Sequence, residues 1–257
     1  MTYTRALVRA PTPNFALGLT QASEGPPRLD EALLQHRHYC DALRSCGLRL
    51  TELAPDPAFP DGTFVEDTAL LFPGFAVIAR PGAESRRGET ASTRAALQDL
   101  FEHLIAIEAP GTIDGGDVCV AEHHVYIGLS ARTNEAGARQ LAALLGARGY
   151  TSSLIDIRAS ATLLHLKSGL TYLGDALLVV GPDTPRSTLN TDYDFLEIDP
   201  AESYAANCLN VNGQILIAAG YPHLAEQLEQ RGRRTRVLAM SEFRKMDGGL
   251  TCLSLRF

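Results

Sequence analysis

Short apolar runs alternate with longer amphipathic ones along nearly the whole chain. RALVRA, LRLTEL, TALLF, FAVIAR, HVYIGL, ALLVV, QILIAAG and RVLAM are bounded by Gly, Pro or Asp, which predicts strands of four to seven residues. LDEALLQHRHYCDALRSCG carries Leu29, Leu33, Tyr39 and Leu43 at helical spacing and stops at Gly47, a good C-terminal cap. TNEAGARQLAALLGARG and HLAEQLEQRG follow the same rule and also end near glycine. Alternating helices and strands predict an α/β or α+β architecture. No low-complexity tract or Pro/Ser-rich linker marks a boundary, so residues 1–257 read as one domain.

A weak internal period accompanies this alternation. Polar landmarks recur at FPDGTFVED, TIDGGDV, LLHLKSG, LNVNGQ and DGGLTC, with 53 residues from Asp61 to Asp114 and 51 from Asp114 to His165. Five units of about 51 residues would fill the chain, a length seen in propeller-like arrays. Radial repeats converge their loops on one axis and would bring these distant landmarks together.

Composition narrows the classes. Hydrophobic content of 45% and charged content of 21% suit a globular protein. No window approaches eighteen uninterrupted apolar residues, so no membrane span is expected. Arg5 and Arg9 interrupt the N-terminal segment, which therefore lacks the apolar region of a secretory signal. Five irregularly spaced cysteines, an odd number, predict a reducing, cytoplasmic setting without a disulfide framework. A net charge of −7 with no basic stripe argues against nucleic acid and is compatible with a cationic small substrate.

Candidate chemistry begins with Cys252 in KMDGGLTCLSLRF, either a buried residue of a last strand or a nucleophile on a strand edge. His36, His38, Cys40 and Cys46 match no zinc spacing, because His36 and Cys40 share a helix face while His38 points elsewhere. His123 and His124 read as an exposed turn, and His103 and His223 as surface positions in or at helices. His165 lies in the strand-like stretch SATLLHLKSGLTYLG, where a hydrogen-bonded core histidine and a catalytic one are equal alternatives. FPDGTFVEDTALLF and IDGGDVCV each place acids on a turn that enters an apolar strand. One Asp-Gly turn needs no function. Two acid clusters brought together need a cation or a proton to offset them.

FVEDTALLF, RPGAESRRGE, DGGDV, GLSARTN, HLKSG and MDGGLTC, in this order from about Asp61 to Cys252, resemble the dimethylarginine dimethylaminohydrolases of the guanidino-modifying, or pentein, superfamily. The resemblance implies a five-bladed α/β propeller with pseudo-fivefold symmetry. It implies hydrolysis of N-methylated arginines to citrulline and methylamine or dimethylamine through a covalent thiouronium on Cys252. It assigns general acid/base work to His165 and its orientation to Asp114, where many relatives carry the longer Glu, so the contact would be adjusted or water-mediated. It has Asp61, Glu66 and Asp67 contact the guanidinium or line its pocket, and sets Arg86 and Arg132 on the α-carboxylate, Leu19 in a covering loop and the Met246 carbonyl on substrate. Asp117 fits a structural turn, and the Gly/Pro-rich SEGPPR segment fits a lid. Deiminases of the superfamily carry an acid two residues after the histidine. Here the stretch is His165-Leu166-Lys167-Ser168, which implies an apolar or open side where N-methyl groups fit. Carboxylates near Cys252 would raise its pKa until a guanidinium binds. No cofactor is implied; zinc held by Cys252 and His165 would act as an inhibitor. A homodimer is compatible with the sequence. The rival readings are a deiminase, an amidinotransferase and a non-catalytic binding module of the same fold.

Overall fold

The computed structural model describes residues 2–257. Its strands form five three-stranded sheets, each an antiparallel pair followed by a parallel third strand. One unit is β1 (Arg5–Arg9), α1 (Leu29–Ser45) and β2 (Arg49–Leu53). The next is β3 (Ala69–Phe72), β4 (Phe75–Ile78), α2 (Thr90–Leu97) and β5 (His103–Ala106). Then come β6 (Val118–Ala121), β7 (His124–Leu129), α3 (Glu135–Gly146) and β8 (Thr151–Asp156), followed by β9 (Leu170–Tyr172), β10 (Leu177–Val180) and β11 (Asp194–Glu197). The last full unit is β12 (Leu209–Val211), β13 (Gln214–Ala218), α4 (Pro222–Gln230) and β14 (Arg234–Leu238), after which α5 (Ser241–Arg244) leads to β15 (Leu255–Arg256). β15 pairs antiparallel with β1 and so completes the first sheet. The result is a five-bladed α/β propeller.

The middle strand of each blade is buried along nearly its whole length, as in β4 and β10, because a helix or loop covers one face and a neighbouring blade the other. Those strands are the continuous apolar runs of the sequence. The parallel outer strands are half exposed, as in β2 and β8, and their mixed patterns carry a weaker signal. The core lies between blades and under the helices: Leu141 and Leu145 of α3 pack with Val125 and Ile127 of β7. Inner strands begin at Ala69, Val118, Leu170, Leu209 and Leu255. The fourth of these units is the short one, since only a 3-10 turn, Arg186–Thr188, stands where the others carry a helix.

A short 3-10 segment opens each inner strand: Val65–Thr68, Gly115–Asp117, Leu166–Ser168, Pro200–Ala206 and Thr251–Leu253. Successive segments pack on one another around the ring. Three local expectations change. His103 opens β5 and belongs to no helix. His165 is an extended residue capping the Leu166–Ser168 turn rather than part of a strand. Cys252 sits on the Thr251–Leu253 turn, not on the strand that follows. His38 is exposed, while His36 and Cys40 are buried with Sγ 3.7 Å from Nδ1. Burial pushes that imidazole down to about 4.

Candidate active site

The inner 3-10 turns carry the titratable residues. Glu66 and Asp67 lie on Val65–Thr68, Asp114 caps Gly115–Asp117, His165 caps Leu166–Ser168, and Cys252 is the centre of Thr251–Leu253. Two glycines let the turns close up. A Cβ on Gly115 would collide with the Glu66 carbonyl, and one on Gly116 would lie 2.8 Å from His165 Nδ1. The Gly-Gly of DGGD is therefore a requirement of close approach.

Cys252 and His165 line one cavity of about 390 Å³, together with Glu66, Lys167, Gly249 and Asn207. His165 Nε2 is 3.0 Å from Asp114 Oδ2, so the shorter acid reaches the imidazole directly, without a bridging water. Asp114 is fully buried, and its other oxygen accepts from Gly82 N–H at 2.9 Å. Asp117 anchors the histidine's own segment by accepting from Leu166 N–H at 2.9 Å and from Ser130 Oγ at 2.6 Å. Burial pushes the Asp117 carboxyl up to about 6.

Burial works against the charged imidazole, but Asp67, Asp117 and Asp114 outweigh it and bring His165 up to about 9. Burial likewise opposes ionised Asp67. His165 and Arg86 override it and hold the carboxyl near 2. Burial pushes the Cys252 thiol up to about 12, with Glu66 and Asp67 adding to the rise. The Gly249 N–H, 3.4 Å from Sγ, and Lys167 act in the other direction. The carboxylates thus contribute as the sequence led us to expect, but desolvation comes first.

Two assigned binding residues have different partners. Glu66 Oε1 is 2.6 Å from Lys167 Nζ, and its Oε2 accepts from Thr251 Oγ at 2.7 Å, which holds the carboxylate in the cavity wall. Lys167, the residue at the position where deiminases carry the acid, lines the same cavity with its ammonium on Glu66. Both residues also line a second cavity of about 660 Å³, which makes their ion pair a partition between the two. Arg86 is buried, with Nη1 2.7 Å from Asp67 and Nε and Nη2 on Glu89 at 3.0 and 2.9 Å. That guanidinium braces Asp67 and Glu89. Arg132 differs. Its Nη1 is buried without a hydrogen-bond partner among the described residues, which suits a donor for a carboxylate.

Asp61, Leu19, Arg132 and Met246 do not line that cavity. Asp61 accepts from Leu19 N–H at 3.0 Å, and the Arg86 Nη2 contact to its carbonyl joins this group to Asp67. A Cβ on Gly18 would lie 3.1 Å from the Met246 methyl. Asp247 holds the same loop by accepting from Thr20 Oγ1 at 3.0 Å and Gln21 N–H at 2.6 Å, and Glu24 pairs with Arg244 at 2.9 Å. Burial raises Asp61 above the usual carboxylate range.

The cysteines are all free. Among the described residues, Asp67, Asp114 and His165 form the group that could hold a metal, with one ligand atom from each within 4.8 Å of the others. The sequence pairing for zinc, Cys252 with His165, has its residues on the common cavity. No helix is long and apolar enough to cross a membrane. Lys167, Asn207, Thr251 and Asp247 were missed in the sequence. Lys167 alone left a signal, as the unusual cation two residues after the histidine.

Residues 63–204 match a family profile described as arginine deiminase. The chain is 42% identical over 252 residues to an N(G),N(G)-dimethylarginine dimethylaminohydrolase of Pseudomonas aeruginosa, covering 98% of each. It is 37% identical to the enzyme of that name from Streptomyces coelicolor, over 98% of this chain and 96% of that one. A crystallised cysteine-to-serine mutant of the Pseudomonas aeruginosa protein, complexed with citrulline, superposes with a TM-score of 0.95 at 40% identity over the full length of both chains.

Proposed function

Because this chain belongs to the dimethylarginine dimethylaminohydrolase family, we propose that it hydrolyses N-omega-methylated arginines to citrulline, with Cys252 as nucleophile and His165 as general acid and base. The observation that carries the residue assignment is a cysteine and a carboxylate-held imidazole on one small cavity.

The guanidinium carbon is a weak electrophile, and a soft thiolate is a suitable attacker. Cys252 Sγ bonds to that carbon while His165, charged beside Asp114, protonates the departing dimethylamine or methylamine. The C–N bond breaks and a thiouronium remains on Cys252. Neutral His165 then takes a proton from water, whose oxygen attacks the same carbon. Collapse releases citrulline and returns the thiolate. Asp67 opposes the cation, Arg132 takes the α-carboxylate, and Asp61, Leu19 and Met246 border the amino-acid end. Glu66, on the cavity wall, faces the cation with Asp67, and Arg86 holds Asp67 from behind.

Methylated substrates are favoured because the residue after Leu166 is an ammonium already neutralised by Glu66. A free guanidine nitrogen of arginine finds no carboxylate there, and that loss discriminates against it. We place the enzyme in the cytoplasm as a single domain, alone or as a homodimer, with no nucleic-acid or membrane partner. The test is citrulline formation from asymmetric dimethylarginine against arginine, with Cys252→Ser as control. Faster turnover of arginine would move the assignment to the deiminases.

A further inference from the structure

Four of the five inner 3-10 turns supply Glu66 and Asp67, Asp114, His165 and Cys252; the fifth, Pro200–Ala206, ends at Asn207. We propose that Asn207 is a positioning residue that locks the nucleophile's turn to the histidine's segment. The proposal rests on the reading of Cys252 and His165 just given.

The side chain is buried and makes three bonds to two segments. Its Oδ1 accepts from Thr251 N–H at 3.0 Å. Its Nδ2 donates to the Lys167 carbonyl at 2.9 Å and to Thr251 Oγ at 3.1 Å. Thr251 precedes the nucleophile, and Lys167 lies two residues after the imidazole. The same hydroxyl donates to Glu66 at 2.7 Å, and Glu66 holds Lys167 Nζ at 2.6 Å. Asn207, Thr251, Glu66 and Lys167 therefore form a closed ring of polar contacts, and three of them line the cavity with Cys252. The other end of the cysteine's turn is fixed against the same group, since a Cβ on Gly249 would strike the Asn207 side chain.

The amide suits this place. It donates and accepts at once without charge, whereas Asp would lose both donor bonds and add a third carboxylate near a thiol that Glu66 and Asp67 already push up. Displacing a reacting group by about 1 Å costs on the order of a hundredfold in rate.

The experiment measures kcat and KM for dimethylarginine in Asn207→Ala, Thr251→Val, Thr251→Ser and the double variant Asn207→Ala/Thr251→Val, with thermal unfolding alongside. A parallel measurement follows iodoacetamide alkylation of the Cys252 peptide by mass spectrometry, which needs no turnover. Asn207→Ala and Thr251→Val should each lower kcat by about 10–100-fold with KM within about threefold. Thr251→Ser should retain activity. The double variant should be no slower than the slower single, because both break one ring. Alkylation should quicken by about tenfold in variants that remain folded, since a loosened turn admits water to the thiol. Unchanged kcat, a loss confined to KM, multiplying losses or unaltered alkylation would each overturn the proposal. If the unmodified chain makes no citrulline, the functional reading fails, and the alkylation series alone still decides the role of Asn207. If Asn207→Ala does not fold, the Thr251→Val and Thr251→Ser pair decides it.

Discussion

The thiol at position 252 should titrate very differently with and without a cation in front of it. Burial, Glu66 and Asp67 push it up to about 12 in the empty site. At neutral pH only about one molecule in 10⁵ then carries thiolate. A guanidinium at about 4 Å in a partly screened site contributes roughly 4 kcal/mol of favourable Coulomb energy to the thiolate. That is about a thousandfold in thiolate population. The sign follows from charge: anionic neighbours and desolvation disfavour a new negative group, and a bound cation favours it. The assay is thiolate ultraviolet absorbance against pH, with and without a non-reacting guanidinium or amidinium ligand, subtracting the Cys252→Ser protein. The midpoint should lie well above that of a free cysteine in the empty enzyme and fall steeply on binding. A low midpoint in the empty enzyme that does not move with ligand would refute the reasoning and require another route to the nucleophile.

Four further outcomes follow from the same geometry. Asp114→Asn should cut kcat by about 10²–10⁴-fold and move the basic limb of the pH–rate profile downward, because His165 loses a directly bonded anion. Arg132→Met should raise KM for dimethylarginine by about 10–100-fold with kcat largely kept, whereas equal loss in kcat would place Arg132 at the reacting centre. Gly116→Ala should abolish turnover in a folded protein, judged by circular dichroism, because the new methyl meets His165 Nδ1 at 2.8 Å. His165 is raised to about 9, so its stabilising contribution is full below about pH 6.5 and disappears as pH climbs through 9. The unfolding free energy from urea titrations should fall across that window by an amount of order 3 kcal/mol in the unmodified protein and by clearly less in His165→Gln.

The chain announces some of this and conceals the rest for physical reasons. Middle strands such as β10 are buried on both faces and appear as unbroken apolar runs. β9 and β12 have three residues each, too few for any period to register, and half-exposed β8 alternates imperfectly. Cys252 and His165 were found through the order of motifs, since neither has a distinctive local context. A sequence reports the charges of Glu66 and Arg86 but not the partners that neutralise them. Lys167 and Glu89 supply that neutralisation. Asn207, in AANCLN, looks like any turn asparagine, and its partner Thr251 is 44 positions away.

The pairing of β15 with β1 has a consequence for how the catalyst is held. Cys252 stands just ahead of the two residues, Leu255 and Arg256, that dock onto Leu7 and Ala6. The turn that carries the sulfur is thus held from two sides, by this seam and by its contacts with Asn207 and Glu66. The first and last strands of the chain therefore share one sheet, and the nucleophile stands three residues from that join.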